Sequence, residues 1–600
     1  MTHLSENSHR LSIKTLSLTT QESVQEQIVE FDQVCLLILP SNTVDRQSNS
    51  PKLTAELIDN VASKLSPEST LIVMGEVIDL VHAHTRLAKL MQYHLWIVIK
   101  RTTPRISKSN SALPEYHFGA LVYTGYIGSL RHSKTRIKYT YCPACEKTTK
   151  DYGGKKHTYN SYGTLMSDVW RDISAEINGD LSHITERFAD LFGIEGYSQL
   201  LVLDCRGLKQ GRIAENRDHY IFQPMLLDST RKPSEESRLI LGDSLEELGK
   251  LPSNSVDFAF ADPPYNLKKK YNNYSDDLSI TDYFAWCDDW INEVARILRP
   301  GRTCAILNIP LWAIRHFLHM DQILQFQNWI VWDALSFPVR FIMPAHYGIL
   351  CFSKGPAREL PGLAAHKGDF NIEDSSKAFQ TLQPLAEWYC LRASCIRKRQ
   401  LLELDDRGPL TDLWWDIHRL KHNSRRVDHP CQLPPQLMYR LYSIFTEPGE
   451  IILDCFNGAG TSTLTAHQLD RKYIGIEISE KYHKIAQSRH YEIEQGLDPF
   501  RKANRKLTEK NSSVNRMKKQ TYEVPNKALQ LEIRRVAKLL GRLPDRNEVI
   551  EHGRYPIKYY DDYFVSWGEV CAAARHDGMS EEKEIRVSSK KTTSQLSLFD

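Results

Sequence analysis

The chain has 600 residues, too many for one hydrophobic core, so roughly three or four domains are expected. With 41% hydrophobic and 25% charged residues it has the mix of an ordinary globular protein, which excludes a mostly disordered or fibrous chain. No apolar run approaches the about 18 residues a membrane span needs, and Met1–Lys14 lacks the apolar stretch of a secretory signal, so a cytoplasmic protein is expected. Twelve cysteines are too few for a disulfide scaffold; they should be reduced, and clustered ones read as metal ligands. The net charge of +3 is small, but Arg501–Lys519 concentrates eight Lys or Arg against one Glu.

The elements alternate along most of the chain. In the first part, Tyr93–Lys100, Leu113–Gly125 and Val202–Gly207 carry short apolar runs, and Cys142-Pro-Ala-Cys145 interrupts them. Further on, Val256–Ala261, Cys304–Leu307, Trp329–Trp332 and Ile451–Asp454 are strand-like, with amphipathic helical patterns at Thr281–Leu298 and Pro435–Phe445. A helix at Thr463–Leu469 and a strand at Tyr473–Ile476 follow. The alternation predicts an α/β protein with a mainly parallel sheet covered on both faces. After the basic stretch comes a small all-α unit with a helix at Leu531–Leu540, then a polar, disordered tail.

The α/β part contains one plan twice. SDVWRDI (Ser167–Ile173) matches TDLWWDI (Thr411–Ile417), and YHLWIVIK (Tyr93–Lys100) matches FQNWIVWD (Phe326–Asp333). LPEYHFGALVYTG (Leu113–Gly125) matches IMPAHYGILCFSKG (Ile342–Gly355), and VLDCRG (Val202–Gly207) matches ILDCFNG (Ile452–Gly458). The matches keep their order, which points to duplication. The copies part where chemistry would sit. Copy one has Leu39-Pro40-Ser41-Asn42 and Arg206-Gly207-Leu208-Lys209; copy two has Asp262-Pro263-Pro264-Tyr265 and Phe456-Asn457-Gly458-Ala459-Gly460. Copy one is therefore read as degenerate.

Two motifs of copy two carry chemistry. Glycines at a strand-to-helix turn let a ligand approach the backbone, and Glu477, 19 residues past Gly458, ends the next strand where a ribose-binding acid is expected. The pattern is not the dinucleotide G-x-G-x-x-G, so an adenosine-bearing cofactor other than NAD is indicated. In Asp262-Pro263-Pro264-Tyr265 the prolines stiffen the chain and remove donors. The Asp262 carboxylate and a proline carbonyl can both accept from one exocyclic amine, whose lone pair is otherwise delocalised into its ring. Tyr265 offers a ring on which an extruded base can stack.

From Arg238 to Arg489 the chain resembles the β class of DNA amino-methyltransferases, in which the catalytic motif precedes the cofactor motif. That resemblance implies a Rossmann-like fold and S-adenosylmethionine as cofactor. Gly242-Asp243 match the acidic motif that contacts the cofactor's adenine, and Phe456, Gly458 and Gly460 border its methionine part with Asp454 beside them. Glu477 holds the ribose, and His429 heads the cofactor half. Family members commonly carry Thr and Lys where this chain has Cys431 and Leu433, so the methionine-carboxylate contact is not carried over. An Asp heading the catalytic motif is typical of adenine-N6 enzymes; cytosine-N4 transfer is the alternative, and a non-catalytic, clamp-tethered DNA-binding scaffold is the rival from another class. No nuclease or helicase signature is present, so within restriction–modification this chain alone would modify and not restrict DNA.

Three further expectations complete the reading. Cys142 and Cys145, with Cys390 and Cys395 at the aligned place of copy two, are expected to form one structural zinc site, with His157 in reserve. LGRLPDRNEV, HGRY and FVSWGEV resemble the repeat found beside homing endonucleases, which implies double-stranded DNA as a partner. The end, Gln595-Leu-Ser-Leu-Phe599, is similar to the peptide by which bacterial replication proteins bind the sliding clamp. The expected boundaries are 25–232 for the degenerate copy, 236–496 for the catalytic copy, 497–524 for a basic linker, 525–577 for the helical repeat and 578–600 for the tail.

Overall fold

In the computed structural model of the chain the described residues are 12–18, 34–40, 51–66, 69–106, 110–125, 130, 132–133, 135–148, 151, 160, 163–192, 199–208, 237–267, 278–334, 346–364, 382–384, 393–401, 407–420, 432–500, 524, 526–564 and 567–575. Two sheets form its body. The first contains β1 (Ser12–Ser17), β2 (Val34–Ile38), β3 (Thr70–Gly75), β4 (Gln92–Arg105), β5 (Glu115–Thr124), β6 (Val169–Ala175) and β7 (Gln199–Asp204), in the order β1-β7-β2-β3-β5-β4-β6. The second contains β8 (Arg238–Leu241), β9 (Val256–Ala261), β10 (Leu298–Asn308), β11 (Gln325–Asp333), β12 (His346–Ser353), β13 (Leu413–Trp414), β14 (Ile451–Asp454) and β15 (Lys472–Glu477), in the order β8-β15-β14-β9-β10-β12-β11-β13. The central strands β2, β3, β9 and β14 are buried at every position, as strands covered on both faces must be.

The two sheets follow the same path. In each, a parallel run is followed by two antiparallel pairings and a final parallel one. They differ by one strand among the described residues. In the second sheet β15 lies between β8 and β14; in the first, β1 pairs with β7 directly. The strand without a counterpart is the one that ends in Glu477.

The sheets also meet through equivalent residues. Trp96 of β4 stacks on Trp329 of β11, which holds the same place in the repeated stretch, with ring centroids 4.9 Å apart. His346 Nδ1 lies 2.7 Å from Asp168 Oδ2, and the reciprocal pair, His117 Nδ1 and Asp412 Oδ1, lies at 3.1 Å. Arg171 sits over the ring of its equivalent, Trp415, at 5.6 Å. Each tryptophan has a glycine beside it in its own sheet. A Cβ on Gly119 would lie 2.4 Å from Trp96 Nε1, and one on Gly348 would lie 3.0 Å from Trp329 Nε1. A residue contacting its own counterpart, with crossed pairs on either side, is the pattern of an isologous interface between identical subunits. Here both faces belong to one chain.

Helices cover the sheets: α1 (Pro51–Ala62), α2 (Val77–Leu87) and α3 (Ser182–Phe192) belong to the first. To the second belong α4 (Ser244–Gly249), α5 (Ile280–Ile297), α6 (Pro310–Ile323), α7 (Pro435–Phe445), α8 (Thr461–Gln468) and α9 (Glu480–Glu494). The first unit begins earlier than the expected residue 25. β1 is an edge strand whose residues are mostly exposed, so SIKTLS carries no hydrophobic signal. The second unit runs slightly past 496: Phe500 lies under the Arg489 guanidinium at 5.1 Å.

The C-terminal unit holds α10 (Asn526–Leu540), α11 (Arg546–His552) and α12 (Ile557–Tyr563), followed by two single turns, and is helical in its described elements. Leu529, Ile533, Val549, Tyr560 and Val570 form a separate core. The basic stretch 501–523 and the tail from 576, with Gln595–Phe599, lie outside the described residues. No described helix is long and apolar enough to cross a membrane.

Candidate active site

The ends of β9, β14 and β15 open into one cavity of about 480 Å³. This is where a parallel sheet binds its ligands, outside the carboxyl ends of its strands. Asp262, Pro263, Pro264 and Tyr265 line it together with Asp454, Phe456, Gly458, Glu477 and Asp243. Gly460 does not line it. It caps α8 with φ 86°, and its missing Cβ would lie 2.9 Å from that of Ala486. His429 and Cys431 lie outside the described residues, whereas Leu433 lines the cavity.

The glycine loop is held by Glu477. Its Oε2 accepts from Gly458 N at 2.7 Å and its Oε1 from Ser479 N at 2.8 Å. Gly458 itself has φ 51°, in the left-handed region. Phe456 N donates to Asp454 Oδ1 at 2.9 Å, and Ser244 Oγ donates to the Cys455 carbonyl at 2.5 Å. Asp243 caps α4, accepting from Leu245 N at 3.0 Å and Glu246 N at 3.2 Å.

Of the acids lining the cavity, Asp262 and Glu477 act on Asp454. Burial, then the charges of Asp262 and Glu477, push Asp454 up to about 7 against the pull of the Phe456 N–H and the Ser462 side chain. Burial also raises Glu477, against its two backbone donors. Such a site favours a cation. The Phe456 ring, packed against Trp290 at 5.2 Å and Trp286 at 5.6 Å, adds an apolar side suited to a flat heterocycle.

The loop Asp262–Tyr265 is held by two hydrogen bonds from α5 and α6. Tyr283 Oη donates to the Pro264 carbonyl and Trp312 Nε1 to the Tyr265 carbonyl, both at 2.8 Å. The Pro263 carbonyl, next to Asp262 in the chain, takes part in neither bond. Tyr265 Oη donates to Asp262 Oδ1 at 2.8 Å, which fixes the carboxylate. Beyond Tyr265 an aromatic wall continues: Tyr347 at 6.3 Å, Trp332 at 5.5 Å from Tyr347, and Arg419 over Tyr347 at 4.9 Å. Sequence reasoning missed these three. Trp332 and Tyr347 lie inside the repeated stretches, but as strand residues they read as core.

The equivalent place of the first sheet is lined differently. Arg206, where the second has Phe456, donates to both carboxylate oxygens of Asp204 at 2.9 and 2.6 Å, and to the carbonyls of Ile177 and Gly179 at 3.0 and 2.7 Å. A smaller cavity of about 260 Å³ lies there, with Asp204 and Arg206 in its lining and, among the described residues, no glycine loop.

Cys142, Cys145 and Cys395 come together, their sulfurs within 4.8 Å of one another, and none of them lines the cavity. Cys390 and His157 lie outside the described residues.

Residues 256–488 match the family described as DNA methylase, and residues 524–575 match the homing endonuclease associated repeat. The chain is similar to the type II methyltransferase M.BamHI of Bacillus amyloliquefaciens, at 32% identity over 247 residues, 40% of this chain and 54% of the relative. It spans only about half of that relative's length. It is also similar to the DNA adenine methyltransferase YhdJ of Escherichia coli K12, at 28% identity over 281 residues, 45% of this chain and 89% of the relative. Among solved structures it is similar to a DNA modification methylase of Thermus thermophilus complexed with S-adenosyl-L-methionine. There the identity is 21% and the TM-score 0.29, over 44% of this chain and 98% of that one.

Proposed function

We propose that this chain is an S-adenosylmethionine-dependent DNA methyltransferase acting on the N6 amino group of adenine. The observation that carries the reading is the single cavity shared by Asp262-Pro263-Pro264-Tyr265 and the glycine loop that Glu477 holds. The match of residues 256–488 to the DNA methylase family supports the same reaction class. The cavity suits the cofactor: its carboxylates favour a cation, its glycines admit close approach to the backbone, and its size is that of a site for a small organic ligand. The cofactor supplies an electrophilic methyl group on a sulfonium.

The chain's own residues do the rest. Glu477, already anchoring Gly458, receives the ribose hydroxyls on its remaining lone pairs. Asp454 offers negative charge to the sulfonium side. Asp262 and the Pro263 carbonyl accept the two hydrogens of the target amine, which favours a pyramidal nitrogen and stabilises its developing positive charge. The Tyr265 hydroxyl keeps the Asp262 carboxylate in place while the rings of Tyr265, Tyr347 and Trp332 flank an extruded base.

The first sheet is a degenerate copy, with Arg206 in the place of Phe456; it supports DNA binding and site recognition. The helical unit is a second DNA contact, through its match to the homing endonuclease associated repeat. Gln595–Phe599 tethers the chain to the sliding clamp, and the protein works in the cytoplasm on nucleoid DNA. The test is methyl transfer from tritiated cofactor to unmethylated DNA, followed by nucleoside digestion. N6-methyladenine is expected, with Asp262→Ala lowering the rate at least about 100-fold while cofactor binding persists. Label on cytosine N4 would move the target base, and no label at all would leave the scaffold reading.

A further inference from the structure

We propose that Cys142, Cys145 and Cys395 are ligands of a structural zinc ion that staples the first copy to the second. The three sulfurs lie within 4.8 Å of one another, and none of the three is in a disulfide. Two come from a hairpin of the first copy, Tyr141–Cys142 paired with Lys147–Thr148, and the third from the helix Ala393–Leu401 of the second.

Three observations argue for a metal. The hairpin has strands of two residues each, too short to be stable alone. Its turn holds Glu146 at φ 55°, a conformation that a residue other than glycine adopts only when its surroundings impose it. Among the described residues the buried apolar cluster around it is Cys142, Ala144 and Cys395 with Cys145 against them, a small surface to hold such a turn. A bond to a metal supplies what burial does not.

Charge points the same way. Arg399 is 1% exposed, and its Nη1 lies 3.4 Å from Cys142 Sγ. Three thiolates around one divalent cation carry a net negative charge, and the Arg399 guanidinium is placed to donate to one of them. Each ligand gives up its S–H proton on binding, so three protons go to solvent per ion. All-sulfur ligation with closely spaced donors selects zinc among common divalent ions, and three thiolates leave one corner of the tetrahedron for a fourth donor.

This inference is independent of the methyl-transfer reading. The full chain, expressed and purified without added metal, is expected to carry one zinc per chain by elemental analysis. Cys142→Ser and Cys395→Ser should each lower that content at least tenfold and reduce the melting temperature. Because either variant could fail to fold, the intact chain supplies the second measurement. Exchange of its metal for cobalt should give the intense thiolate-to-cobalt charge-transfer bands of a tetrahedral sulfur site. A metal-free chain whose melting temperature a strong chelator leaves unchanged would overturn the proposal, as would a disulfide between any two of these cysteines in freshly purified protein. Asp262→Asn should keep its zinc in full, so loss of activity and loss of metal can be told apart.

Discussion

Asp454 has a proton to lose in the range where enzymes work. Its carboxyl is pushed up to about 7, so near neutral pH it is about half protonated before any ligand arrives. A cation beside it favours the ionised form. Binding of S-adenosylmethionine is therefore expected to release part of a proton at pH 7 and to tighten as pH rises through about 7. Titration calorimetry in buffers of different ionisation enthalpy reads this directly, and Asp454→Asn should abolish the release. Stability runs the opposite way. The folded value lies above the unfolded one of about 3.9, so the stabilisation from the bound proton is full below about 4 and is lost as pH rises through about 7. The ligand-free wild type should thus lose melting temperature between pH 5 and 8 more steeply than Asp454→Asn. Asp262, Gly458 and Glu477 were legible in the sequence because their spacing from strand ends is itself the chemistry. Trp332, Tyr347 and Arg419 were not: only pairing of β11 with β12 and the chain's return beyond β13 bring them to Tyr265.

Among the elements, α8 depends on its first residue. Gly460 caps it in a left-handed conformation that costs an L-residue about 1–2 kcal/mol, and a methyl group there meets Ala486 of α9. Gly460→Ala is expected to destabilise the fold by at least that much in denaturant titration and to weaken cofactor binding by displacing the glycine loop. The helix α7 was readable to the residue, since Pro434-Pro435 marks its start and an amphipathic pattern its length. The strand β14 was readable too. The edge strand β1 was not, because it is ordered by its ladder to β7 rather than by burial. β10 begins six residues before the expected Cys304 because Leu298–Arg302 is polar and carries Gly301 at φ 75°, a signal that reads as a turn.

At the scale of the whole chain, the stack of Trp96 on Trp329 ties the stability of each half to the other. Trp96→Ala removes a fully buried ring from that contact and should cost about 3–5 kcal/mol. Both halves are expected to unfold together, in one calorimetric transition at lower temperature; two separate transitions would show them to be independent. The likeness of the two sheets could be anticipated from four matched stretches. That the sheets face one another could not, because nothing in a single sequence records which surfaces meet. Asp168 and Asp412 look like ordinary strand-end acids until each is seen reaching across to the other sheet's histidine.

One set of motifs sets a limit on what a visit to the duplex can accomplish. With Asp262-Pro263-Pro264-Tyr265 and the glycine loop in the second sheet's unit alone, the proposed enzyme has two similar halves but a single place for chemistry. An inverted-repeat target would present two identical bases to a reader with one pen, so each landing could mark one strand only. Full modification would then require departure and return in the other orientation, with the half-marked duplex as an obligatory waypoint. A target lacking that symmetry would need no second landing.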